Sequence, residues 1–158
     1  MSQLTFTQDM GVAYPGQIQD ISDCQIVNYI AGSDIEPGRV VEVDPVTGKI
    51  NYPQATTLGR VAGVSMYISA ALPQSWKTGD QVPVLRKGRV YATLSGGTVT
   101  HLLVANVKHS STLAVDRGKV SASATSAVAG SEVSALGSVI FVRPATDPTL
   151  ALLELNLP

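Results

Sequence analysis

The chain has 158 residues and a net charge of −1, with 44% hydrophobic, 15% charged and 5% aromatic residues, a length that suits one domain, or one domain with an arm. Charge falls well below the roughly 25% of an average soluble domain, and the 11 basic residues are spread along the chain, so a general nucleic-acid binder, which neutralises phosphates with clustered Lys and Arg, is not expected. The single cysteine, Cys24, excludes a disulfide within the chain and a cysteine zinc cluster, and no apolar run approaches the roughly 18 residues of a membrane span.

Residues 1–20 read as an arm. Phe6, Met10, Val12, Tyr14 and Ile18 are apolar but follow neither a helical nor a strand period cleanly, and Pro15 in Tyr14-Pro15-Gly16 forbids a helix through the turn. Such residues either fold back on the core or dock on a partner. Met1-Ser2-Gln3-Leu4-Thr5 lacks a basic segment leading into an apolar stretch, so no signal peptide is expected. The product is expected to act in the cell that makes it or to leave by lysis.

From Cys24 onward, short β-branched runs alternate with turn signals. Residues 26–30 predict a strand, Pro37-Gly38 a turn, and 39–43 the next strand. Asp44-Pro45-Val46-Thr47-Gly48 predicts a hairpin loop, with 49–52 returning from it. Residues 60–69 predict a longer strand. Thr78-Gly79-Asp80 turns into 81–85, Lys87-Gly88 into 89–93, and Gly96-Gly97 into 98–104. Segments 113–116 and 119–123 flank a further hairpin at Arg117-Gly118. Residues 123–137, rich in Ser, Ala and Gly, read as a loop, and 139–142 and 150–157 as the last strands. About ten short strands at roughly 8–12-residue spacing predict an all-β sandwich or barrel over residues 21–158.

The residues assemble no convincing catalytic pattern. Gly48-Lys49 lacks the earlier Gly and the following Ser or Thr of a phosphate loop, since those positions hold Val43 and Ile50. Gly63-Val64-Ser65-Met66-Tyr67 is half a nucleophile elbow, but Tyr67 stands where the second Gly belongs, and Ser65 reads as a strand residue. His101 and His109 have no nearby cluster of metal-ligating residues in sequence and read as surface or edge histidines. Most Asp residues lie in turns, where the carboxylate bonds local backbone. Neither metal nor cofactor is expected.

Two features suit contacts. Arg86-Lys87-Gly88-Arg89 is the sharpest charge cluster, either a solvated hairpin guarding an edge or an electrostatic contact with an acidic partner. Trp76, the only tryptophan, fits an interface anchor and a core plug equally.

Several stretches, in order, resemble the structural cement or decoration proteins of tailed-bacteriophage heads. They are Tyr14-Pro15-Gly16, Ile35-Glu36-Pro37-Gly38-Arg39-Val40-Val41, Ala62-Gly63-Val64-Ser65, the block from Trp76 to Tyr91, and the ending Leu153-Glu154-Leu155-Asn156-Leu157-Pro158. Trp76 stands where Tyr or a similar residue is expected. The resemblance implies an all-β, jelly-roll-like β-barrel or sandwich with an extended N-terminal arm, and no catalytic residue. It implies a virion protein on the outer surface of the capsid, made in the host cytoplasm. The partners it implies are the major capsid protein and further copies of the chain, as a homotrimer before a homodimer, with no direct nucleic acid and no membrane. Phe6, Met10, Tyr14, Trp76, Arg86, Lys87 and Arg89 are the expected capsid or neighbour contacts. Competing readings are a tail or host-binding β-protein, and a β-barrel hydrolase using Ser65 with His101 or His109.

Overall fold

Runs of Val, Ile, Leu and Thr broken by glycine turns can bury their apolar surface only by pairing into sheets. The computed structural model describes residues 13–54, 60–68, 75–109, 114–123, 132–142 and 149–158. Among them, nine strands form one curled antiparallel sheet, and no α-helix occurs. The strands are β1 (Ile18–Ile30), β2 (Val40–Val43), β3 (Ile50–Asn51), β4 (Val61–Ser65), β5 (Gln81–Thr93), β6 (Val104–His109), β7 (Val120–Ser121), β8 (Glu132–Phe141) and β9 (Leu150–Asn156). The order along the sheet is β3-β2-β4-β5-β9-β8-β6-β7, with β1 paired to β5. The all-β, jelly-roll-like expectation holds.

The hub is β5. One edge pairs with β1 from Ile30↔Gln81 to Ile18↔Val90, and the other with β4 at Leu85 and Val84 and then with β9 from Lys87↔Asn156 to Thr93↔Leu150. Lys87-Gly88 is therefore not the expected turn. Gly88 takes φ +121°, and a Cβ there would sit 2.7 Å from Cys24 Sγ on β1. The missing side chain lets the strand bend and continue where the sequence suggested reversal.

Three further expectations are corrected. The strand expected at 98–104 begins only at Val104, because Leu102 adopts φ +59° in the preceding turn. Residues 114–116 form a 3-10 turn rather than a strand, and residues 111–113 lie outside the described set. Residues 132–137, expected in a loop, belong to β8, which pairs with β6 from Asn106↔Ala135 to His109↔Glu132. A strand poor in β-branched residues persists there because an apolar neighbour supplies its ladder.

Two apolar clusters lie on opposite faces of the sheet centre. Adjacent residues split between them: Val40 and Leu85 enter the larger cluster with Val90, Phe141 and Leu153, whereas Val41 and Val84 join Ile35, Ile50 and Val82 in the smaller. Strands buried on both faces give continuous apolar runs such as Val40-Val41 rather than alternation. Burying the Phe141 and Leu153 side chains fully contributes roughly 1.5–3 kcal/mol each.

Beneath the smaller cluster a polar network ties the Glu36 loop to the sheet. Arg39, almost fully buried, donates from Nη1 to the carbonyls of Val115 (2.8 Å) and Arg117 (3.3 Å) and from Nη2 to Glu36. The Tyr52 hydroxyl accepts the Glu36 N–H at 2.8 Å, and burial raises its pKa above the ordinary tyrosine value. Asp34 accepts from Lys77 at 2.7 Å and from the Thr78 N–H, bonds that hold its carboxyl below the usual range.

Candidate interaction surface

The N-terminal turn is anchored from Gly16 onward. The Gly16 N–H donates to the Tyr91 carbonyl (2.6 Å), and the Gly16 carbonyl accepts the Tyr67 N–H (2.9 Å). The boundary expected at residue 20 thus falls within β1. This anchoring stacks Tyr14 on Tyr67, with ring centroids 5.2 Å apart and planes 8° from parallel. Tyr14 nevertheless remains 56% exposed. The pair walls a groove of about 640 Å³ that Pro15, Pro37 and Thr93 also line. Aromatic faces beside proline rings offer apolar area at little entropic cost. Phe6 and Met10 lie outside the described residues.

Two of the three cations in the basic cluster are ion-paired within the chain, and the third is hydrogen-bonded there. Lys87 pairs with Asp23 at 2.7 Å and Arg89 with Glu154 at 2.9 Å, while Arg86 donates to the Pro158 carbonyl. The hairpin reading of this stretch fails, since it is the middle of β5. Its pairs line a hollow of about 470 Å³ under the bulge in β1. Exposed pairs of this kind contribute about 0–1 kcal/mol. An acidic partner would first have to displace the chain's own carboxylates.

Trp76 is half-buried against the smaller cluster and exchanges backbone bonds with Ile35 at 2.8 and 2.9 Å. It sits between two loops and braces them.

The outer side of β1 pairs with no described strand along residues 18–30, and its exposed face carries Ile21, Ile26 and Ile30, with Ile21 84% exposed. Long apolar edges are what partner strands add to. Composition had not singled out this edge. Its only sequence signal is the lack of Lys and Pro over 13 residues.

The residues of the hydrolase reading are used structurally. Ser65 is fully buried, donates from Oγ to the Glu36 carbonyl (2.7 Å) and accepts the Arg39 N–H (3.1 Å). A hydroxyl held by two backbone groups is oriented for the fold and not toward a substrate. His101 is exposed, with Nδ1 against the Val142 carbonyl, whereas His109, expected at a surface or edge, is buried in β6. It is drawn inside because β6 is covered on both faces from Ala105 onward.

No curated protein sequence matches the chain. Among solved structures, it is similar to a chain from the capsid of Myoviridae phage XM1, with a TM-score of 0.73 and 16% identity over 98% of this chain and 97% of that one. At that identity the likeness concerns the fold. The family model for structural cement proteins, described by E217 gp24 and Pam3 gp6, matches residues 2–156. The all-β sheet agrees with this match over nearly the whole sequence, and the chain belongs to the family of phage structural cement proteins.

Proposed function

We propose that the chain binds the outer surface of the phage head and joins neighbouring major capsid protein subunits, holding the shell against the pressure of packaged DNA. The family match over residues 2–156 carries this reading. A body that binds the assembled lattice better than separated subunits stabilises assembly by linkage. Many copies on a symmetric shell add their increments.

A curled sheet packed on both faces suits the task, because a stiff body holds its contacts in fixed geometry. Phe6, Met10 and Tyr14, in the arm assigned to residues 1–20, contact a capsid subunit or a sister copy in this reading, ahead of the β-domain at 21–158. Trp76, Arg86, Lys87 and Arg89 have partners within the chain and contribute less. Self-association as a trimer, before a dimer, completes the reading.

The test is binding of purified protein to heads lacking it, imaged by cryo-electron microscopy. Density bridging adjacent subunits on the exterior is expected, and bare heads at saturating protein would refute the proposal. Deleting residues 2–12 should abolish binding while circular dichroism keeps its strand signature. Undiminished binding would remove the arm from the account. Light scattering gives the oligomer.

A further inference from the structure

β1 runs beside β5 without a register shift only from Ile26↔Leu85 to Ile30↔Gln81, and before that it bulges between Asp20 and Gln25. Beyond Ile30 the outer edge closes, because Ala31 bridges Ile50 and the Gly32 N–H donates to the Ile50 carbonyl (2.8 Å). The regular stretch of edge that has no partner strand among the described residues is therefore 26–30. Alternation assigns its backbone groups. The Ala31 N–H donates to the Asp80 carbonyl and the Ala31 carbonyl accepts the Gly79 N–H (both 2.9 Å). Odd-numbered residues thus face β5, and the amide groups of Ile26, Asn28 and Ile30 point outward.

The same three residues form one face of this stretch. Ile26 and Ile30 are exposed, with exposed Asn28 between them, whereas Val27 and Tyr29 are half-buried on the other face, Tyr29 against the smaller cluster. Edge strands are ordinarily guarded by Lys, Pro or inward charge. Residues 24–33 contain no Asp, Glu, Lys, Arg or Pro. The exposed face reads Ile, Asn, Ile in either direction, centred on Asn28, and the open edge is centred on the same residue. A strand built to receive a foreign segment has no need to read alike both ways. Antiparallel pairing with its own copy requires it, since a two-fold contact sets residue i against j and j against i.

We infer that residues 26–30 pair antiparallel with residues 26–30 of a second copy of the chain, joining two sheets edge to edge. Asn28 then faces Asn28 of the second copy, Ile26 faces Ile30 and Val27 faces Tyr29, so apolar side chains meet on both faces and no charge opposes another. A slip by two residues would set Ile26 or Ile30 against Asn28 and leave one isoleucine uncovered. The contact rests on the self-association included in the proposed function and gives it a surface. It also reverses the order given there, because a two-fold edge contact closes at two copies, so the dimer comes before the trimer. The pairing forms in solution and is tested without heads, so its failure is distinct from a failure of head binding.

The decisive comparison is between two double variants, read by sedimentation velocity over a concentration series. Ile26→Lys with Ile30→Lys sets lysine against lysine across the two-fold, and Ile26→Lys with Ile30→Glu sets lysine against glutamate. Within one chain the two positions lie roughly 13 Å apart along the strand, so a difference between the variants reports the contact between copies. Wild type is expected to dimerise, the Lys/Lys variant to dimerise at least about tenfold more weakly, and the Lys/Glu variant to lie about tenfold or more above Lys/Lys. A second measurement checks the register and holds even if the Lys/Lys variant folds poorly. Asn28→Cys should form a disulfide-linked dimer on mild oxidation, because directly opposed residues have Cα atoms about 5.5 Å apart. Ile26→Cys, whose copies would stand roughly 13 Å apart, should not, and wild type with Cys24 alone is the control. A wild-type chain that stays monomeric at every concentration would overturn the inference. So would a dimer or trimer indifferent to both double variants, equal loss in both, or cross-linking of Ile26→Cys as readily as of Asn28→Cys.

Discussion

Replacing Gly63 with Ala tests how the sheet centre is built. Gly63 lies in β4 opposite Val41 of β2, where the register shifts so that Glu42 faces Val61. The extra residue at this bulge is Ala62, and Gly63 beside it takes φ +147°, with its backbone so close to β5 that a Cβ would meet the Leu85 carbonyl oxygen at 2.0 Å and Val84 Cγ1 at 2.8 Å. Neither neighbour can yield cheaply. The carbonyl belongs to the hub strand, and Val84 is fully buried in the smaller cluster. The unfavourable φ costs about 1–3 kcal/mol, and forced separation of packed strands about another 1–3 kcal/mol. Together, roughly 2–6 kcal/mol is a large share of a stability of about 5–15 kcal/mol. Urea unfolding should therefore show the midpoint of Gly63→Ala lowered by about 1–3 M, given a slope of roughly 1–3 kcal/mol per M. A midpoint within about 0.3 M of wild type, at unchanged slope, would show that β4 can move away from β5, and the reading of this bulge as rigid would fail.

Three other outcomes follow from the polar and aromatic contacts. Arg39→Met, which keeps the stem but strands the Val115 and Arg117 carbonyls and the Glu36 carboxylate, should lose about 2–4 kcal/mol in the same urea assay; a loss below about 0.5 kcal/mol would mean that water replaces the guanidinium. The Tyr14–Tyr67 stack should give a coupling of about 0.5–1.5 kcal/mol in a double-mutant cycle with alanine, and additive effects would show that the rings do not stack in solution. Asp116 is held below its ordinary pKa of 3.8, first by its hydrogen bond to Lys119. Because the folded-state value is the lower one, its contribution is full above 3.8 and disappears as pH falls through the folded value. Asp116→Asn should therefore be less stable than wild type near neutral pH, with the gap closing in acid; a gap constant with pH would assign the effect to something other than ionisation.

Local chemistry made much of the fold legible. Asp44 caps its own hairpin, accepting from the Val46 N–H and the Thr47 hydroxyl, so Asp44-Pro45-Val46-Thr47-Gly48 declared a β2–β3 turn without tertiary help. The errors fell where a distant partner decides. Glycine beside charges reads as a turn, but at Gly88 it serves a bend, because Cys24 occupies the space beside it. Residues 132–137 have loop composition, and only the edge of β6 makes them a strand. The site was harder to read for the same reason. Lys87 and Asp23, or Arg89 and Glu154, are 64 and 65 residues apart, so the cluster that looked available to an acidic partner was already satisfied. Nothing in composition marks Leu102 as left-handed.

Those pairings bear on how a cement can hold. Lys87 and Asp23, and Arg89 and Glu154, neutralise each other across β1, β5 and β9, so these cations hold the body's own strands and leave little local field for an acidic partner. On the proposed function, adhesion then draws on apolar area and open backbone, which this chain keeps at the β1 edge, at Tyr14 and at Leu102. Each such contact is small, and a body with several of them gains only if all engage together, since a loose scaffold would lose in ordering what the contacts supply. Burial of both sheet faces around β2, β4 and β5 is thus, on the proposed function, a condition for binding as well as for folding: it keeps the separated exposed patches in one fixed geometry.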